Sequence, residues 1–455
     1  MILAIALLAQ ITIGEYAARR ATVAATMPSD YLLVLGAPEP AEDYLSFEQA
    51  PSFMYLTGVN EPDAAFLITK HGSGMLFVEP KDPAQEVWSG QRMGSAGATH
   101  ITGLSARLRG DLEDVLDSLL KDSTTLEVVA PPGDVAALIR AHPHAIVSDG
   151  SRLIEQLRGT KSTAELDLLT RAASITSDGE RAALAVVAPG VNEYQVQARI
   201  EYTFRSEGAD RPSFASTVGS GPNATVLHYN IDNRVMQSGD LVVMDVGASY
   251  RGYAGDVTRT VPVSGHYSPD QRAVYQIVRD AQATAERQAL LDAPARRMSD
   301  SATAVLAAGL ARLGLIESAD ATYECGADRL CAQYALYYMH GLGHGIGLEV
   351  HDPEQFYFTG RIAAGSAFTI EPGLYVRSNL AEIVPDTPRN RAMIDKIRPA
   401  IKRYANVGVR IEDDYIATPE GVRRISNAPR EAEEIEAIMR SQRSRGESQL
   451  APASP

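Results

Sequence analysis

Leu241-Val242-Val243-Met244-Asp245-Val246 sets one carboxylate inside an apolar, β-prone run, where an unpaired charge would cost several kcal/mol. Something positive must meet it. A second acid, Asp256, follows in Gly255-Asp256-Val257-Thr258-Arg259-Thr260 after the turn-like stretch 249–253, which would fold the next strand back beside the first. Two carboxylates then lie side by side, which is repulsive unless a metal ion or a shared proton sits between them. For either aspartate alone, a strand-end cap or an ion pair with Arg259 is the competing account; for the two together that account is weaker.

The pattern recurs twice further along. Phe368-Thr369-Ile370-Glu371-Pro372-Gly373 and Val409-Arg410-Ile411-Glu412-Asp413-Asp414 each embed an acid in an apolar, β-prone segment. Between these and the aspartates lies His340-Gly341-Leu342-Gly343-His344-Gly345-Ile346-Gly347-Leu348-Glu349-Val350-His351, which gathers three of the chain's nine histidines. Its glycines permit tight turns and close backbone approach to a ligand. Four carboxylates and one imidazole form an oxygen-rich, nitrogen-poor donor set, which suits a pair of Mn²⁺, Co²⁺, Fe²⁺ or Zn²⁺ ions better than a thiolate-type structural zinc. Two divalent ions would balance the four negative charges, which gives a physical reason for so many acids in one place.

These segments need a scaffold. A chain of 455 residues, 45% hydrophobic and 22% charged, is too long for one ordinary core, and a small domain followed by a larger one is expected. Up to about residue 158, apolar runs (Tyr31 to Leu35, Ala64 to Ile68, Met75 to Val78) alternate with helical stretches such as Leu104 to Leu120, an α/β character. The character changes at Arg158-Gly159-Thr160-Lys161-Ser162. Ser162 and Glu165 have the spacing of a capping box, opening a helix through about Val187. Beyond Val226, short β-rich segments (Leu241 to Val246, Ala367 to Ile370, Val407 to Ile411) frame helices at about 269–291 and 297–313, an α+β arrangement. The Ser-, Arg-, Pro- and Ala-rich stretch 441–455 is expected to fray as a flexible tail.

Composition excludes some functions and leaves others open. The net charge is −15 and no run of Lys or Arg stands out, so nucleic acid is not an expected partner. No apolar stretch is long enough for a membrane span. Residues 1–9 are almost wholly apolar, a candidate signal segment that favours export slightly over a cytoplasmic place, against the alternative of a buried first element. Cys325 and Cys331, the only cysteines, allow a local bridge in an oxidising compartment or a pair of free thiols.

Taken in order, Asp245, Asp256, His344, Glu371 and Glu412 resemble the metal ligands of the metallopeptidase family with the pita-bread fold, which includes methionine aminopeptidase, prolidase and aminopeptidase P. The aminopeptidase P type is the closest in character. Tyr55-Leu56-Thr57-Gly58-Val59-Asn60-Glu61-Pro62-Asp63-Ala64, Val87-Trp88-Ser89-Gly90-Gln91-Arg92-Met93-Gly94 and Val218-Gly219-Ser220-Gly221-Pro222-Asn223-Ala224, running into Leu227-His228-Tyr229, are similar to its segments. The resemblance spans about residues 30–440. It implies an α+β chain: a creatinase/prolidase-like α/β domain over 1–158, then a pita-bread catalytic domain over 159–440.

The resemblance also implies roles. Asp245 would hold one metal, His344 and Glu371 the other, and Asp256 and Glu412 would bridge them, with Mn²⁺ the expected ion and Co²⁺, Zn²⁺ or Fe²⁺ as alternatives. Glu371 would shuttle the proton, and His228 and His351 would meet the substrate carbonyl or the developing oxyanion. His340 would shape the proline-side pocket, Arg410 would contact the substrate or orient its neighbours, and Tyr229 would lie on the substrate side. Trp88 matches a residue that the family supplies from a neighbouring subunit, implying a homo-oligomer, dimer or tetramer. The implied activity is removal of the N-terminal residue of peptides with proline second. A prolidase acting on Xaa-Pro dipeptides is the alternative, and a non-catalytic pita-bread binding module a further one. One departure stands out: Arg377 to Ala405 reads as an inserted, partly helical, Arg- and Lys-rich excursion, bearing on the rim of the site or on an oligomer contact.

Overall fold

Apolar strands of the N-terminal half line up edge to edge, because each alone would leave its backbone N–H and C=O groups unpaired. In a computed structural model that describes residues 11–42 and 45–450, the chain divides into units Met1–Arg158 and Gly159–Pro455. Backbone alone is described for Thr359 and residues 443–450. The candidate signal segment 1–9 lies outside the described residues.

The first unit is built on six strands, β1 (Tyr31–Leu35), β2 (Ala65–Thr69), β3 (Gly74–Val78), β4 (Ser105–Leu108), β5 (Thr125–Val129) and β6 (Ile146–Asp149), in the order β4-β3-β2-β1-β5-β6. The pairs β1–β2 and β2–β3 are antiparallel, whereas β3–β4, β1–β5 and β5–β6 are parallel. Parallel neighbours need long crossovers, and helices such as Leu112–Leu119 and Pro132–Ala141 lie in them. Leu33, Leu67, Phe77, Leu116, Leu126 and Val128 form the core of this α/β layer. The expected helix from Leu104 to Leu120 is corrected here. Its first part is the edge strand β4, paired with Met75–Val78, and only Leu112–Leu119 is α-helical. The parallel partner claims residues 105–108, and a 3-10 turn at Arg109–Asp111 separates strand from helix.

The second unit opens on the capping box. Glu165 N donates to Ser162 Oγ (3.2 Å) and Ser162 N to Glu165 Oε2 (2.9 Å), starting the helix Thr163–Ala183. It stops four residues before Val187 and tightens into turns ahead of Ala188-Pro189, since the residue before proline is disfavoured in helical geometry.

Its strands are β7 (Arg211–Pro212), β8 (Thr217–Ser220), β9 (Leu241–Val246), β10 (Ala248–Tyr250), β11 (Tyr253–Ala254), β12 (Val257–Pro262), β13 (Thr322–Gly326), β14 (Arg329–Ala332), β15 (Ala367–Ile370), β16 (Gly373–Val376), β17 (Val407–Arg410), β18 (Asp413–Thr418) and β19 (Gly421–Arg424). Three pairings matter for the chemistry: β12 folds back antiparallel on β9 with Thr258 opposite Asp245, β15 pairs with β18, and β16 pairs with β17 with Gly373 opposite Arg410. Helices Pro269–Gln288 and Arg296–Arg312 match the sequence expectation closely.

The excursion between β16 and β17 carries helices Leu380–Ile383 and Pro388–Arg403. Several of its cations are neutralised locally, Arg391 by Asp386, Lys396 by Glu317 and Arg403 by Asp270. Buried Asn390 ties it to hairpin β13–β14, accepting from Glu324 N (3.0 Å) and donating to Glu324 O (2.8 Å). A disulfide between Cys325 and Cys331 closes that hairpin, deciding between the two states the sequence allowed. The last helix, Ala432–Leu450, continues into the segment expected to fray. Among the described residues no helix is long and apolar enough to cross a membrane.

Candidate metal centre

Strands of three sheets carry the acids. Asp245 lies on β9, Asp256 immediately precedes β12, Glu371 follows β15 and Glu412 follows β17. The His340–His351 segment is laid against β15 by backbone bonds: Glu371 N donates to Leu342 O (2.8 Å) and Thr369 N to His344 O (2.9 Å). Gly343 adopts φ +157° with its Cα against the Thr369 backbone, where a Cβ would lie 2.4 Å from the Thr369 carbonyl oxygen, so only glycine lets the two chains approach.

Donor atoms of Asp256, His344 and Glu412 fall within 4.8 Å of one another. His344 donates from Nδ1 to the Gly345 carbonyl (3.0 Å), which turns Nε2 toward Asp256 Oδ2 (3.5 Å) and Glu371 Oε1 (3.4 Å). Asp256 Oδ1 and Glu412 Oε1 are buried without a hydrogen-bond partner, and such orphans are costly unless a cation satisfies them.

The protonation behaviour has the same cause. Burial, then the charges of Glu412, Asp245 and Asp414, push the Asp256 carboxyl well above its ordinary value. Burial, then Glu371 and Asp245, do the same to Glu412. Burial also raises Glu371, against the pull of His344 and Arg410. Bare, these acids would rather hold protons than charge; divalent ions in their midst would reverse that.

Asp245 stands slightly apart. Arg410, not Arg259, supplies its positive partner: Arg410 Nη2 bonds Asp245 Oδ2. Thr258 Oγ1 lies 2.9 Å from Asp245 Oδ1 and 2.7 Å from Glu412 Oε2 while accepting from Arg410 Nε (3.1 Å). The donor set is therefore held from behind by one hydroxyl and one guanidinium.

Residues 167–419 match the model of metallopeptidase family M24, and residues 16–129 match the N-terminal domain of aminopeptidase P. The chain belongs to metallopeptidase family M24. Its relatives include the Xaa-Pro aminopeptidase of Haemophilus influenzae, 32% identical over 96% of this chain and 99% of the relative, and that of Escherichia coli, 31% identical over 92% and 96%. Among solved structures it resembles Pseudomonas aeruginosa aminopeptidase PepP (TM-score 0.81, 30% identity, 96% of this chain and 100% of that one). It also resembles a variant of E. coli aminopeptidase P in complex with substrate (TM-score 0.82, 29% identity, 96% and 100%). The first unit is the aminopeptidase P N-terminal domain and the second the pita-bread domain, and the centre of this M24 metallopeptidase is a divalent-metal site.

Around that centre a directed chain of hydrogen bonds runs outward. Arg410 Nη1 donates to Tyr375 Oη (2.9 Å), Tyr375 donates to His340 Nε2 (2.9 Å), and His340 Nδ1 donates to the Gly341 carbonyl (2.8 Å). Burial, then the Arg410 charge, lowers the His340 pKa to about 3, so the ring is neutral. Tyr338 meets it edge-on at 4.9 Å between ring centres. The His351 ring lies 4.1 Å from that of His344, tilted by 42°, and stays half-exposed, and burial followed by the charge of His344 lowers its pKa. His228 is exposed and lies within electrostatic reach of both His340 and His351. Trp88, on the short helix Glu86–Ser89 of the first unit, is 71% exposed.

Two of the expected substrate-side groups are bonded within the chain. Arg410 is buried and bonded to Asp245, Thr258 and Tyr375, the contacts that the orienting role expected of it requires. The Tyr229 hydroxyl donates to buried Glu193 (2.9 Å). Sequence reasoning passed over Thr258, Tyr375 and Glu193. Thr258 stood inside the Asp256 motif and Tyr375 four residues past Glu371, so distance along the chain could have flagged both; nothing near Glu193 did. Asp413 and Asp414, directly after Glu412, were a signal for paired cations. Burial alone would raise Asp413, but Arg259, Arg424 and Arg430 hold it well below the usual range.

Proposed function

We propose that the chain is an Xaa-Pro aminopeptidase, hydrolysing the bond between an N-terminal residue and a following proline. Asp245, Asp256, His344, Glu371 and Glu412 would hold two divalent ions, Mn²⁺ before Co²⁺, Zn²⁺ or Fe²⁺. When bound, such ions lower the pKa of a water so that it attacks at neutral pH, and polarise the scissile carbonyl. The observation that carries this reading is the pair of orphaned oxygens, which belong to two of the carboxylates that would hold the ions, Asp256 and Glu412.

The chain's own groups do the rest. Glu371 Oε1 is engaged by Thr369 (3.3 Å) and faces His344, so Oε2 is the atom that takes up and returns the proton. His351 and His228, at the exposed side, hydrogen-bond the substrate carbonyl as its charge develops. Proline fixes φ and has no N–H, so its pocket needs surface rather than an acceptor. Neutral His340, flanked by Tyr338 and Tyr375, offers it. Trp88 would serve the substrate side of a neighbouring subunit in a homodimer or tetramer. The relatives named Xaa-Pro aminopeptidase weigh against the prolidase alternative.

Kinetics on two tripeptides that differ only at the second residue test it. Replacing proline by alanine is expected to lower kcat/KM at least roughly tenfold, chelation to abolish turnover, and Mn²⁺ to restore it. Equal rates on both peptides, or a preference for the Xaa-Pro dipeptide, would overturn the assignment.

A further inference from the structure

Glu193, the first residue of the helix Glu193–Ser206, is fully buried. Its carboxylate collects donors from the whole length of the segment 220–234. Ser220 N (2.6 Å), Ser220 Oγ (2.7 Å) and Asn223 Nδ2 (3.2 Å) donate to Oε1, and Tyr229 Oη (2.9 Å) and Arg234 N (2.8 Å) donate to Oε2. The start, middle and end of the segment therefore converge on one side chain. Asp232 Oδ1 pins it again, accepting from Val218 N on β8 (3.0 Å). Inside this clamp sits His228. The exposed ring has no hydrogen bond of its own among the described residues, so its position is inherited from its neighbours.

We infer that Glu193 is the positioning residue for His228, acting through Tyr229 and the backbone of the 220–234 segment, and that Tyr229 belongs to this clamp. The inference rests on the proposed contact of His228 with the substrate carbonyl. A carboxylate is acceptor-only, which matches five donors and no acceptor. Glutamine does not replace it. Whichever way the amide is turned, its NH₂ faces a backbone N–H, Ser220 N on one side or Arg234 N on the other, and neither can accept. The segment must shift, and His228 shifts with it, while the metal donors on β9 and at the ends of β12, β15 and β17 are untouched.

A double-mutant cycle of Glu193→Gln and His228→Ala on an Xaa-Pro-Xaa tripeptide, with bound metal measured in each variant, tests this. Glu193→Gln is expected to lower kcat roughly tenfold to a hundredfold, with KM and metal content kept, because an oriented contact is lost in the transition state. In the His228→Ala background the same change is expected to cost less than about threefold, since residues acting as a unit are not additive. A merely structural glutamate would cost the same factor in both backgrounds, and that result overturns the inference, as would wild-type kcat or lost metal in Glu193→Gln. Tyr229→Phe, which removes one donor without adding a clash, covers the case in which Glu193→Gln does not fold. It should lower kcat a few-fold with the same non-additivity, and full additivity would again overturn the inference. Wild-type kcat in His228→Ala alone would instead sink the role of His228 and separate the two failures.

Discussion

Replacing Thr258 by valine changes little in shape and much in charge balance. Both side chains are β-branched and suit a strand, and the site is completely buried, so the backbone of β12 has no reason to move. What disappears is a hydroxyl between Asp245 Oδ1 (2.9 Å) and Glu412 Oε2 (2.7 Å) that also accepts from Arg410 Nε (3.1 Å). Arg410 Nε loses its acceptor, and, because one hydroxyl carries one proton and serves one carboxylate at a time, the carboxylates lose a single charge-assisted bond, about 1.5–3 kcal/mol. At about 1.4 kcal/mol per decade this is roughly tenfold to a hundredfold, the range seen when partners behind metal ligands are removed. Calorimetric titration of metal-free Thr258→Val with Mn²⁺, together with kcat/KM at saturating metal, should show that loss in affinity, turnover or both. Thr258→Ser, which keeps the hydroxyl, should stay close to wild type. Wild-type affinity and turnover in the valine variant would refute the idea that this hydroxyl organises the donor set.

Asp256→Ala and Glu412→Ala should each remove most activity and leave one ion or none, as measured by metal analysis, because each would hold the ions with a buried oxygen that has no other partner; two retained ions at full rate would contradict the ligand assignment. His351→Ala should keep its metal and lose mainly kcat, and unchanged turnover would remove it from the mechanism. Asp232→Asn addresses pH. Burial raises Asp232 from 3.8 to about 6, so the folded chain keeps a proton that the unfolded chain gives up, and stability falls as pH rises through that window. The variant should therefore gain up to ~3 kcal/mol above pH 6 from ~1.36 kcal/mol per unit, and nothing near pH 3.5. Its left-handed backbone, φ +47°, already suits asparagine. Urea midpoints at the two pH values would show it, and a pH-independent gap would refute it.

Local physics written into short stretches of sequence was enough for several features. The capping box at Ser162 and Glu165, the strand β9 around Asp245 and the helices near 269 and 297 follow from spacing, propensity and caps that act within a few residues. The carboxylates at 245, 256, 371 and 412 were legible for a similar reason: a charge in an apolar run has a cost that any fold must compensate. Leu104 to Leu120 failed as a helix because a distant partner, β3, claimed its first residues.

What compensates each charge was decided only when the strands paired. Arg259 lies close in sequence to Asp245 yet bonds Asp413, whereas Arg410 reaches Asp245 from 165 positions away. Thr258 became a shared partner because β12 folds back on β9 in a register that places it opposite Asp245. Glu193 gathers a loop that begins 27 residues later in the chain. Sequence thus determined which groups are too costly to bury alone, because that cost is a property of the residue and its immediate neighbours. Tertiary structure decided who shares the cost, because hydrogen bonds and ion pairs act over a few ångströms of space and are indifferent to distance along the chain.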